Sequence, residues 1–170
     1  PQTYFCVGTR IFNTYYSYQT GYWDQSSTWT SDPSGTLQIG TTIPSANDRV
    51  IILSDRTVTL TGNVTVGGLD IMIEAGGIID QGVYGFTTGL MALQGSGTLR
   101  LASSSFPSTS FNTFVADGGG TTEYYNSSSF NLPSSQTTYN NLTINAPGVT
   151  ATQLSNISLN GDLYVKAGTY

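Results

Sequence analysis

Ten carboxylates, five cations and no histidine set the chemistry open to this 170-residue chain. Without histidine, a Ser-His-Asp triad, a Cys-His pair, a His-ligated zinc and a histidine pH switch are all excluded. The serine runs at 103–105, 127–129 and 134–135 have no base beside them and read as loops. Gly118-Gly119-Gly120 precedes neither a helix signal nor a lysine, so it is a turn rather than a phosphate cradle. A carboxylate pair acting on sugars is the remaining acid–base option. Asp70 and Glu74 share the outward face of one expected strand, but four residues at ~3.3 Å each hold them about 13 Å apart. Glycosidases need roughly 5–9.5 Å, so a partner would have to be Asp80 or Asp48 from a neighbouring coil. No residue is assigned a catalytic role.

Calcium is the metal that Asp, Asn and backbone oxygens would suit. The candidates are Asp48 and Asp117, with Asp24, Asp32 and Asn47 nearby in kind, and their spacing matches neither an EF-hand nor a nonapeptide calcium repeat. Arg49 beside Asp48, and Arg56 beside Asp55, read as local ion pairs at turns. Aromatic rings are the other candidate ligand groups. Tyr22, Trp23, Trp29 and Tyr125 could stack on the C–H face of a pyranose. For Trp23 and Trp29 the stronger reading is that they close the end of the fold. Tyr124 and Tyr125 are neighbours on one strand, so one packs inward and the other faces out.

The elements that must position these groups are short strands. Only 9% of residues are charged, against roughly 25% in an ordinary domain. Ser and Thr make up about a quarter of the chain and Gly contributes 20 residues, a mixture of strand and turn formers. Period-two runs recur at 49–53, 57–60, 63–66, 69–74, 77–80, 90–93, 98–101, 111–115, 122–125, 141–144, 149–152, 157–159 and 163–165. The segment 60–76 recurs at 154–168, with a fainter echo at 139–148. Each copy is a strand, an Asn/Gly corner, a second strand and then Ala-Gly or Pro-Gly. That grammar predicts an all-β, parallel β-solenoid of roughly 20–25 residues per coil, with Val64, Val66, Ile71 and Ile73 stacked inward. Residues 1–45, aromatic and aperiodic, form an irregular N-terminal cap. Residues 46–170 form the coils, and the uncapped strand at 163–165 is expected to continue into more of them.

The order Tyr15-Tyr16-Ser17, Gly21-Tyr22-Trp23-Asp24, Thr28-Trp29, Ile43-Pro44, Ala46-Asn47-Asp48, the run 57–66 and Glu74-Ala75-Gly76-Gly77 resembles the amino-terminal, G8-like module of large secreted surface proteins of Bacteroidetes. Further on, 95–101, Phe106-Pro107-Ser108, 118–125 and 137–144 are similar to the body of giant adhesins used in gliding motility. The resemblance implies a right-handed parallel β-helix, export by the type IX secretion machinery and a non-enzymatic role in surface attachment or gliding. It carries no catalytic residue. Its implied partners are surfaces or glycans and further domains of the same chain, at an extracellular, cell-surface location. A carbohydrate-binding module is the alternative, and a polysaccharide lyase or hydrolase a third reading. Scattered cations and a net charge of −5 argue against nucleic acid. No apolar run approaches the roughly 20 residues of a membrane span or resembles a signal-peptide core, so an exported chain is expected to have shed its leader. Cys6, with no second cysteine, is expected to be a free or buried thiol.

Overall fold

Alternating apolar residues in short runs, each ended by Gly or Asn, suit a sandwich, a barrel or a solenoid alike, and the repeat favours a chain that turns a corner every few residues. The computed structural model, which describes residues 12–169, winds in that way: it is all-β, a parallel β-solenoid of about six turns. Cys6 and Arg10 lie outside the described residues. The chain opens with β1 (Thr14–Ser17), β2 (Gly21–Tyr22), one 3-10 turn (Ser26–Thr28) and β3 (Trp29–Thr30). Four coils follow, each giving one strand to each of two faces. They are β4 (Arg49–Ile52) with β5 (Thr57–Thr59), β6 (Asp70–Ile73) with β7 (Ile78–Gly82), β8 (Leu90–Gly95) with β9 (Thr98–Leu101), and β10 (Thr109–Asn112) with β11 (Thr121–Tyr124). The last coils hold β12 (Phe130–Asn131), β13 (Thr138–Tyr139), β14 (Asn141–Thr152), β15 (Ser158–Leu159) and β16 (Leu163–Thr169).

The first face stacks β1, β4, β6, β8 and β10 in parallel, with β3 antiparallel on the outer edge of β1. The second face runs β2, β5, β7, β9, β11, β14 and β16, all parallel. From β5 to β14 the in-register partners on the second face lie 20–23 residues apart, as a coil of that length requires, whereas β2 and β5 are 37 apart. Two inward columns show why the sequence folds so. On the first face Val50, Ile71 and Leu93 stack; on the second, Val58, Ile79, Leu99, Thr122 and Leu142 do. All of these are essentially without solvent contact. Each buried aliphatic side chain contributes roughly 1.5–3 kcal/mol, and each covers the one below it.

One expectation is corrected. Residues 63–66 do not form a strand: a single parallel bridge, Val64 to Phe86, is all that the return loop makes there. Gly62, Gly67 and Gly68 flank the segment, and Val66 is partly exposed rather than fully inward. The aperiodic N-terminal segment is also less separate than its composition suggests. Thr14 pairs with Arg49 and Gly21 with Val58, so β1 and β2 already form a rung.

Candidate functional site

Alternate residues of the second face point outward, and coil length places like positions one above another. Asp80, Arg100 and Glu123 therefore stand in adjacent rungs of one ladder. The Arg100 guanidinium donates to Asp80 Oδ2 at 2.9 Å and to Glu123 Oε1 at 3.2 Å. Asn145 Nδ2 donates to the same Glu123 oxygen at 3.2 Å, and Lys166 Nζ lies 3.6 Å from Glu123 Oε2. Tyr125 joins from the side. Its hydroxyl donates to Asp80 Oδ1 at 2.5 Å, and the Arg100 guanidinium carbon sits 4.5 Å from the centre of its ring, within cation–π range. Desolvation, followed by the Asp80 carboxylate that accepts its hydrogen bond, pushes the Tyr125 phenol up to about 12. Every carboxylate in the ladder is held by a cation or an amide, and Arg100 covers a face of Tyr125.

The two tryptophans lie elsewhere and in the core. Trp29 is 1% exposed, and its Nε1 donates to the Trp23 carbonyl at 2.8 Å. Trp23 meets the Trp29 ring edge-on at 5.0 Å and the Phe86 ring at 5.3 Å. Burial takes Trp29 out of any sugar platform and leaves Trp23, 5% exposed, only a margin at the depression beside Asp24 and Pro44. Tyr22, on β2, is exposed and stands in the same outward column as the ladder, two rungs from Asp80 through Thr59. Tyr124 is fully buried and its hydroxyl meets that of Tyr139 at 3.2 Å, so the pair at 124 and 125 divides inward and outward as its alternation requires.

The acidic candidates are also dispersed. Asp48 is buried, with Oδ1 accepting from the Asn13 amide and Oδ2 from the Ser45 amide and hydroxyl; it ties the cap to the first coil. Asp117 is exposed on a turn one residue before Gly118. Asp32 accepts from the Ser34 and Thr36 hydroxyls and from the amides of Ser34, Thr36 and Leu37. The Ser34 hydroxyl leads the hydrogen bonds that hold this carboxyl well below the usual range. Among the described residues no group of three or more Cys, Asp or Glu is placed to hold a metal ion. Asp80 does not approach Asp70, because the two lie on different faces. Arg49 reaches Asp70 at 3.7 Å rather than Asp48, and Arg56 donates to the Tyr18 carbonyl rather than pairing with Asp55.

A feature with no local sequence signal runs along the third side, where the loops return from the second face to the first. Three depressions adjoin there. One, about 340 Å³, lies between Asp24, Pro44 and the loop at 61–66; the next, about 350 Å³, between Asn63, Tyr84, Thr87 and Ser105; the third, about 280 Å³, between Phe106, Ser108 and Gln136. Asn63 borders the first two and Phe106 the last two, so they form one furrow crossing successive coils. Comparison of the chain with protein-family models, curated proteins and solved structures finds no match. The fold itself defines the class, a parallel β-solenoid. Among the described residues no helix is long and apolar enough to cross a membrane.

Proposed function

We propose that the protein is a non-enzymatic structural segment of a large secreted cell-surface adhesin, serving attachment or gliding. Its rungs form a stiff spacer, and its uncharged polar flanks make weak contacts with surfaces or glycans that add up over many modules. The observation that supports this most is the Asp80–Arg100–Glu123 ladder. The outward carboxylates best placed for chemistry are bound to cations within the protein, where they brace neighbouring rungs. An acid–base pair would need one of them free to exchange a proton with a substrate. The resemblance to secreted gliding adhesins supplies the biological setting, including export by the type IX machinery.

Deletion of the coils from the full-length protein, with surface display checked by antibody, is the test. Attachment or spreading of the cells is expected to fall while the amount displayed stays constant. Unchanged attachment at normal display would overturn the reading, as would release of reducing ends or unsaturated sugars from polysaccharides by the purified protein.

A further inference from the structure

We infer that the furrow on the third side is a binding site for a neutral polysaccharide chain lying along the solenoid axis. The inference rests on the adhesin reading and names the ligand class and the surface. Coil stacking sets the direction. Loops from successive coils lie roughly 4.8 Å apart, so the furrow from Asn63 through Tyr84 and Phe106 to Gln136 crosses four loops and extends about 15 Å. A linear glycan several sugars long fits such a track, whereas a compact small molecule would use one depression.

The lining sets the chemistry. Around the three depressions hydroxyls and amides, among them Asn63, Thr87, Ser108 and Gln136, sit beside apolar groups such as Trp23 and Phe106, and Asp24 at one end carries the sole charge. Uronate or sulfate groups would find no cation here, so charge selects against acidic polymers. Neutral sugar hydroxyls would exchange hydrogen bonds with water for hydrogen bonds with these side chains. Asn63 shows how the wall is held: its Oδ1 accepts the Gly85 amide at 3.1 Å from the next coil, which leaves the Nδ2 hydrogens to donate outward. Tyr84 supplies the stacking face. It is 38% exposed in the middle depression, and its backbone is fixed by a turn in which the Tyr84 amide donates to the Gln81 carbonyl at 3.0 Å. An aromatic ring on a fixed turn, flanked by hydroxyls, is an amphipathic platform that loses little freedom on binding.

The test uses the purified chain with mixed-linkage β-glucan, xylan and galactomannan as neutral probes and polygalacturonate as the acidic one, read by affinity electrophoresis and by calorimetry with their hexasaccharides. At least one neutral polymer is expected to retard the protein, and its hexasaccharide to bind at least tenfold more tightly than its disaccharide. Tyr84→Ala is expected to weaken binding tenfold or more, Gln136→Ala severalfold, and Tyr84→Phe less than twofold. Tyr164→Ala, an exposed tyrosine on the second face, is expected to leave binding unchanged. Circular dichroism checks that each variant keeps the fold. Failure of every neutral probe, full affinity in Tyr84→Ala, or preference for polygalacturonate would each overturn the inference. Attachment in cells separates the two readings. If deletion of the coils abolishes it and Tyr84→Ala does not, the furrow assignment fails and the adhesin reading stands; if deletion has no effect, the adhesin reading itself fails.

Discussion

At the scale of single residues, the outward ladder shows how a weakly charged protein uses its few ions. Arg100 spans two rungs because the coil length brings Asp80 and Glu123 to either side of it, and Tyr125 then closes over the guanidinium. The phenol proton is part of that arrangement. Deprotonating Tyr125 would place a phenolate against Asp80, and burial already disfavours that charge, so its folded value is about 12 against an ordinary 10. The sign follows directly. A value raised on folding means the native state keeps a proton that the unfolded chain has lost, so the stabilisation is complete below pH 10 and disappears as the pH climbs through 12. Buried Tyr124, raised by desolvation beside Tyr139, acts in the same direction. Urea unfolding followed from pH 9 to 12 should show stability falling with pH, and Tyr125→Phe should make that decline shallower. An identical slope in the variant would show that Tyr125 titrates alike in both states.

At the scale of elements, the corners decide which strands stack. The turn from β8 to β9 passes directly over the turn below it: a Cβ on Gly95 would lie 2.1 Å from the Ile73 carbonyl oxygen, at a φ of +96°. Gly118, at φ +72°, has nothing within 4 Å of the same position. The pair separates two costs. Gly118→Ala carries the left-handed backbone penalty alone, about 1–2 kcal/mol, whereas Gly95→Ala must also push one rung off another and is expected to cost about 3 kcal/mol or more. Chemical denaturation of the two variants checks this, and equal losses would refute the account. This distinction also marks what the sequence could reveal. Strands and corners were legible because alternation and Gly/Asn punctuation are local. The vertical phase was not, because every corner makes the same demands: the repeat at 60–76 and 154–168 places β6 in the first face but β16 in the second. Without that phase, Asp80, Arg100 and Glu123 read as scattered charges, although their spacings of about one coil were visible. The buried state of Trp23 and Trp29 was anticipated in the cap reading. The Tyr84 furrow was not, since it exists only between loops of different coils.

At the scale of the whole molecule, a solenoid is a stack whose layers hold one another and little else, so stability varies along the axis. The inward columns are fully covered in the middle, where Ile71, Ile79 and Leu99 have no solvent contact. They open at the far end: Leu163 stacks on Leu142 and Val165 on Ile144, yet Leu163 and Val165 remain 39% and 46% exposed. At the other end Trp23, Trp29 and the Asp48 hydrogen bonds cover the first coil. In the 170-residue chain taken by itself, unfolding from β16 inward exposes the least new apolar surface per step, so opening of that chain should begin there and proceed rung by rung. Native-state hydrogen exchange is expected to show the slowest amides in β6, β7, β8 and β9 and the fastest in β15 and β16, with β4 and β5 closer to the former. Leu99→Ala provides the complementary perturbation. Removing a side chain covered on both sides should cost about 2–5 kcal/mol, and its effect should spread to the adjacent strands β7 and β11 more than to β4. Uniform protection from end to end, or a variant that accelerates exchange equally in every strand, would mean that the coils unfold as one unit and that nearest-neighbour stacking does not govern this fold.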